Sequence, residues 1–341
     1  MSLLDNHPQL VVLPEETHYL EDRRCYQLLG TYRDKLRHLV ERSGLGTLAL
    51  GRFEPPADDL DSGARDYSHF DYARFVSLAE NFINRPWIDD SLLFSETVRA
   101  YGAAMGAGTG NCVRWIEKTP KNETFARAMD ELFPDAKLIQ IVRDPRAVFA
   151  SLKNRLIRQN GHYTKAHRLV RSWNRCAREI PRLQHDPARF LVIRYEDLVR
   201  KPREILETVC QFGGFEFREC LFEPTRGGNG WEGNSAFDKA FNGISAASVD
   251  QWKECLTEDE IWWIELHCRQ GMALANYPLE TGARFSASRW LKRLPGESWP
   301  GYIRARRASL CQGLGLLKDC SYRKRNQIPP ANDVRQTALT Q

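Results

Sequence analysis

The sequence predicts an α/β fold with a mostly parallel sheet flanked by helices. Four short apolar runs, Leu10–Leu13, Val113–Ile116, Leu138–Val142 and Phe190–Ile193, have the length of buried strands. The segments between them carry the apolar spacing of helices, and strands alternating with such helices build βαβ units. With 341 residues, 42% of them hydrophobic and 27% charged, the chain can fill a large core. That composition excludes wholesale disorder and collagen-like structure.

After the first strand, 18–42 reads as one helix with Tyr19, Leu28, Leu29, Tyr32, Leu36 and Leu39 on an apolar stripe. Gly, Pro and Asp mark Gly51–Arg65 as a loop, and helices are expected over Phe70–Ile83 and Ser91–Met105. The next loop, Gly106–Asn111, contains G-x-G-x-G but precedes a strand, so the mechanism of a dinucleotide turn is absent. Past the second strand, Thr119 suits an N-cap and Pro120 a first helical position, which predicts a helix start there. Helical stretches follow at Phe125–Phe133, Ala147–Ile157 and Glu204–Phe212. Beyond Pro278 the helical pattern thins, and the last twenty residues read as a mobile tail. The expected division is one α/β domain over 1–279 and a basic, partly disordered extension over 280–341.

Lys+Arg 49 against Asp+Glu 44 gives +5, unevenly distributed. Residues 280–341 hold twelve basic and four acidic side chains, a net +8, which leaves the first 279 residues at −3. No apolar run approaches the eighteen residues a membrane span needs. The opening MSLLDNHPQL has an early acid and no apolar h-region, so no signal peptide is expected. Nine scattered cysteines without C-x-x-C predict reduced thiols and a cytoplasmic setting. His162 and His167 read as helix residues rather than metal ligands, and no metal is expected.

In an open parallel sheet, ligands bind beyond the carboxyl ends of the strands. Glu15 and Glu16 follow the first run; Glu117, Lys118, Thr119 and Pro120 the second; Arg143, Asp144, Pro145 and Arg146 the third; Arg194, Tyr195, Glu196 and Asp197 the fourth. Cations at helix starts oppose the macrodipole, so Lys118, Arg143 and Arg146 make sense around a bound anion, or else as solvated surface charges. Ser151, two helical turns past Arg143, could complete a phosphate clamp or be an ordinary helix serine. Glu15–Glu16 could equally be a solvated acidic turn.

The segment IQIVRDPRAVFASLKN (Ile139–Asn154) resembles the 3′-phosphate-binding segment of sulfotransferases that use 3′-phosphoadenosine 5′-phosphosulfate (PAPS). Three further segments agree in order: LLDNHPQLVVLPEETHYL (Leu3–Leu20), WIEKTPKN (Trp115–Asn122) and FLVIRYEDLVRKP (Phe190–Pro202). The first is especially similar to tyrosylprotein sulfotransferases around their E-E-T. A weaker match, Gly233–Trp252, is similar to the late donor-binding segment of bacterial members. The resemblance implies a P-loop-like parallel sheet and transfer of a sulfuryl group from PAPS to an acceptor hydroxyl. It implies that Glu16 is the general base and that Lys118 lies near the transferring group. Arg143 and Ser151 would hold the 3′-phosphate, with Tyr195 near the adenosine and Ser245 on the late donor segment.

The family's phosphosulfate loop, G-x-x-R-S-G-T-T after a first strand, is not found in this sequence, nor is G-x-x-x-x-G-K-[ST]. Two readings stay open: a protein whose true start lies upstream, the favoured one, or a donor-binding remnant without transfer activity. A P-loop kinase-type phosphotransferase is the runner-up; the R-D-P-R and Y-E-D-L segments argue against it. A third class is a binder using the basic tail (Arg304, Arg306, Arg307 and Arg323–Arg325, with Trp290, Trp299 and Tyr302 interleaved) against nucleic acid or an anionic membrane surface. Nucleic acid is not expected. The acceptor is a carbohydrate, lipid, small alcohol or tyrosine; His18 stands where the peptide-sulfating enzymes carry arginine.

Overall fold

The computed structural model describes residues 1–53, 65–106, 114–163, 166–231, 243–292, 294 and 297–313. Its first half runs β1 (Leu10–Val12), α1 (Arg23–Leu28), α2 (Tyr32–Arg42), β2 (Arg52–Phe53), β3 (Arg65–Asp66), α3 (Tyr72–Ile83), α4 (Asp90–Ala104), β4 (Arg114–Ile116) and α5 (Ala126–Leu132). The second half begins with β5 (Leu138–Val142), α6 (Pro145–Asn160), α7 (Ala166–Gln184), β6 (Phe190–Arg194), α8 (Tyr195–Arg200) and α9 (Pro202–Gly213). It continues through β7 (Thr225–Arg226), β8 (Asn229–Gly230), α10 (Trp252–Cys255), α11 (Glu258–Leu274), α12 (Ala287–Leu291) and α13 (Trp299–Gly313).

The four expected strands form, and all four pair in parallel. β1 lies beside β4 with Val12 opposite Ile116, and β5 lies beside β6 with Val142 opposite Arg194. Among the described residues these are two separate ladders, and β2–β3 and β7–β8 add two short antiparallel pairs. Each parallel pair has its own core. Val11, Leu13, Leu36, Leu39, Phe75, Leu93 and Phe94 pack around β1, and Val142, Phe149, Trp173, Ile180, Trp263 and Met272 around β5. Burial of such side chains, at roughly 25 cal/mol per Å² of apolar surface, holds the helices to the strands.

Three local expectations change. The stretch 18–42 is two helices, α1 and α2, because its first residues serve elsewhere. The Thr17 hydroxyl and the His18 amide bond the loop after β4, and His18 has a φ of 54°. Helix α2 starts afresh after Gly30, with Thr31 accepting from Asp34 N at 3.1 Å as its N-cap. Thr119 does not cap a helix at Pro120. Its hydroxyl is taken by Glu117 and by His18 N, the chain turns through Lys121 at φ 74°, and α5 begins only at Ala126. Beyond Pro278 two helices form where periodicity is weak. Tertiary contacts support them: Leu294 and Trp290 join the β5 core, and Glu265 accepts from the Glu280 and Thr281 amides at 2.8 and 2.9 Å. The expected loops Gly51–Arg65 and Gly106–Asn111, the Gly233–Trp252 segment in its first part, and the C-terminal tail fall largely outside the described residues.

Candidate active site

Two pairs of side chains lie at the carboxyl ends of the two ladders. Beyond β1 and β4 the Glu16 carboxylate accepts a hydrogen bond from the Lys118 ammonium. Both remain accessible, with 38% and 53% of their side chains exposed. The register explains the meeting: with Val12 level with Ile116, the chain needs four more residues on one strand and two on the other to reach the same point. His18 stands on the other side of the carboxylate, its Nε2 3.7 Å from Glu16 Oε2 and its Nδ1 3.1 Å from Glu21 Oε2.

Glu117 locks these two loops together. Its carboxylate accepts from Thr17 Oγ1 at 2.9 Å, from the Thr119 hydroxyl, and from Asn122 Nδ2 at 2.6 Å. From behind, Gly44 N donates to Glu16 O at 3.0 Å, and a Cβ at Gly44 would collide with that same carbonyl. Any larger residue at 44 would therefore displace the Glu16 backbone.

Glu15 has the opposite fate from its neighbour. It is 6% exposed, and one carboxylate oxygen takes the Tyr67 hydroxyl at 2.7 Å, Arg65 at 2.8 Å and Arg226 at 3.0 Å. The Tyr67 hydroxyl is pushed well above its ordinary pKa, by burial first and then by Glu15, so it stays a donor. The Glu15–Glu16 step is thus not a solvated acidic turn: one acid is a buried anchor for the β3 and β7 strands, the other a reachable group.

Beyond β5 and β6, Arg143 and Tyr195 follow directly on the register pair Val142 and Arg194. The Arg143 guanidinium sits 4.4 Å from the centroid of the Tyr195 ring. Its Nε is buried with no hydrogen-bond partner. The neighbouring Arg194 Nε is likewise buried without a hydrogen-bond partner, so this end of the β5–β6 ladder holds two unsatisfied guanidinium nitrogens. Tyr195 meets Ser248, hydroxyl to hydroxyl at 3.4 Å. Ser151 is half-buried in α6, two turns beyond Arg143.

Arg146 corrects the picture of cations gathered around one anion. It is 2% exposed and fully engaged: with Asp144 at 2.7 Å, with Glu265 at 2.7 Å, and over the Trp252 ring, 4.1 Å from its centroid. It cannot reach a ligand. Its partner Asp144 caps α6 through Arg146 N at 2.8 Å, while Glu196 accepts from Asp144 N at 3.0 Å and from the Tyr277 hydroxyl at 2.6 Å. This dry network fixes the turn that presents Arg143 and the one that presents Tyr195.

The structure therefore brings Glu16 to Lys118 and Arg143 to Tyr195, while no hydrogen bond or ion pair joins one couple to the other. Ser245 accepts from Ala247 N at 3.2 Å within its own turn, and the serine that reaches Tyr195 is Ser248. Sequence reasoning missed Glu117 and Thr17 as the lock and Ser248 as the contact. The E-E-T and E-K-T triplets contain the first two, but nothing in the letters marks Ser248.

With this geometry in place, comparison with known proteins is informative. The sulfotransferase family profile matches residues 1–219, and the chain belongs to that family. A Caenorhabditis briggsae protein named as a candidate protein-tyrosine sulfotransferase is 23% identical over 186 residues, covering 51% of this chain and 66% of that protein. The omega-hydroxy-beta-dihydromenaquinone-9 sulfotransferase Stf3 of Mycobacterium bovis is 32% identical over 121 residues, 33% of this chain and 31% of that enzyme. The chain thus spans about two thirds of the worm relative and about a third of the mycobacterial one. The fold is shared with the sulfotransferase domain of the Synechococcus PCC 7002 olefin synthase, at a TM-score of 0.52 and 22% identity over 82% of this chain and 89% of that domain.

Proposed function

We propose that this protein transfers a sulfuryl group from PAPS to an acceptor hydroxyl. The observation that carries the proposal is the contact of Glu16 with Lys118 at the end of the β1–β4 ladder, an acid and an amine held together yet open to solvent. The unpartnered Nε of Arg143 supports donor binding at the neighbouring ladder.

The donor, when bound, supplies an activated sulfuryl group; the chain supplies position and charge. Arg143, stacked on Tyr195, receives the 3′-phosphate, with Ser151 adding a hydroxyl from α6 and Ser245 lying on the late donor segment. Glu16 takes the proton of the acceptor hydroxyl as its oxygen attacks. Lys118, drawn from Glu16 toward the anionic donor, offsets the negative charge that builds on the leaving side and at the same time frees the carboxylate. Sulfuryl transfer, like phosphoryl transfer, depends mainly on alignment and electrostatic stabilisation.

The relatives named above act, by their names, on tyrosine and on omega-hydroxy-beta-dihydromenaquinone-9, and both present a hydroxyl oxygen. A carbohydrate or small alcohol would suit the same acid. The absence of C-x-x-C among the nine cysteines supports a reducing, cytoplasmic setting. Among the described residues no helix is long and apolar enough to cross a membrane.

The test is incubation of the purified protein with PAPS carrying a radioactive sulfuryl group and a panel of phenols, sugars and long-chain alcohols, with and without a metal chelator. Label transfer that survives chelation is expected. Transfer only of an ATP γ-phosphate, and only with magnesium, would place the chain among phosphotransferases instead.

A further inference from the structure

Helix α13 is fastened along one side. The Tyr302 hydroxyl donates to Leu291 O at 2.6 Å, and Arg306 donates to Trp290 O and Lys292 O, each at 2.5 Å. On another side of the same helix Trp299, Ile303 and Arg307 recur every four residues and face solvent, Trp299 being 64% and Ile303 60% exposed. Leu291, whose carbonyl holds Tyr302, is itself 60% exposed. Three large apolar groups are thus open to water on one small region, and Arg304 and Arg307 stand exposed beside them, while Lys292 is paired with Asp259. The basic character extends to α7: burial first, then Arg168, Arg171 and Arg304, lower the pKa of His167 to about 4.

We propose that this α12–α13 face docks onto an anionic lipid surface. Apolar side chains rimmed by cations match a bilayer boundary, where aliphatic groups enter the acyl edge, tryptophan sits at headgroup level and guanidinium groups meet lipid phosphates. Nucleic acid would satisfy the cations but leave Ile303 and Leu291 in water. A second copy would set the arginines against one another. The charge distribution favours the same orientation, because residues 280–341 carry +8 and the remainder −3. A negative surface therefore attracts the C-terminal part of the sequence more than the remainder. The inference is independent of the transfer reaction, since docking is read without donor or acceptor.

The experiment is co-sedimentation of the full chain with vesicles of phosphatidylcholine alone and of phosphatidylcholine mixed with phosphatidylglycerol. The mixed vesicles are expected to bind at least about tenfold better, with binding weakened by added salt. Trp299→Ser/Ile303→Ser and Arg304→Gln/Arg307→Gln should each lower that binding about tenfold while leaving the thermal melting temperature unchanged. Equal binding to both vesicle types, binding to neither, or undiminished binding by both variants overturns the proposal. So does a chain that ignores vesicles but binds duplex DNA, or one whose apolar variant merely converts a dimer to a monomer.

Discussion

At the end of the β1–β4 ladder two adjacent glutamates are treated differently, and at the end of the β5–β6 ladder so are two nearby arginines. Glu15 is buried under Tyr67, Arg65 and Arg226 while Glu16 stays accessible. Arg146 is buried between Asp144 and Glu265 while Arg143 keeps a nitrogen without a partner. In each region one charge shapes the loop, and its twin is the one proposed to meet a ligand. The two regions differ in how dry the shaping network is. Arg146, Asp144 and Glu265 expose 3%, 8% and 0% of their side chains, whereas the Glu15 partners Arg65 and Arg226 expose 14% and 25%. Ion pairs in a dry setting are screened little by salt and leave a costly orphan when one member is removed. The Arg143 side should therefore be the stiffer of the two, and the Glu16 side the more adaptable.

The largest effect that bears on this contrast is on folding. Arg146→Met should lower the free energy of unfolding by about 3–5 kcal/mol, read by denaturant titration, because Asp144 and Glu265 are left buried without their cation. A loss below 1 kcal/mol would mean the network is wetter than the structure shows. Lys118→Ala should leave stability near its native value, since the side chain is 53% exposed, yet lower turnover about 10²–10³-fold. Arg143→Ala should weaken binding of PAP, the desulfated donor, by about 1.5–3 kcal/mol in isothermal titration, with little loss of stability.

The smallest effect is on pH dependence. His167 has its folded pKa depressed to about 4 from an ordinary 6.5, so below pH 6.5 the unfolded chain binds a proton that the folded one does not. Stability contributed at this position is complete above pH 6.5 and falls as pH drops toward 4. His7, His38 and His267, also lowered by burial, act in the same direction. Melting temperature should therefore decrease between pH 6.5 and 4, and His167→Gln should flatten that slope without abolishing it.

Much of this was legible in the letters. The four apolar runs became the four parallel strands, and the residues after them supplied Glu16, Lys118, Arg143 and Tyr195, because strand periodicity and the polarity of a parallel sheet are local properties. Which member of each charged couple would be buried was not legible. That choice is made by Arg65, Tyr67 and Arg226 for Glu15, and by Glu265 for Arg146, all far off in sequence. The same holds for Thr119, a good cap by type, which is claimed instead by His18 from a loop about a hundred residues earlier. The helix at Trp299 escaped notice because its support is one arginine set among Trp290, Tyr302 and Trp263 rather than an apolar stripe.

Sulfuryl transfer measured for Glu16→Gln and Glu15→Gln, beside their unfolding free energies, separates a Glu16 that acts on the acceptor from a Glu15 that only holds the loop. Glu16→Gln is expected to lose turnover about 10²–10⁴-fold with near-native stability. Glu15→Gln is expected to lose about 3 kcal/mol of stability and to keep residual turnover in the folded fraction. Native turnover by a folded Glu16→Gln protein would contradict that division of roles.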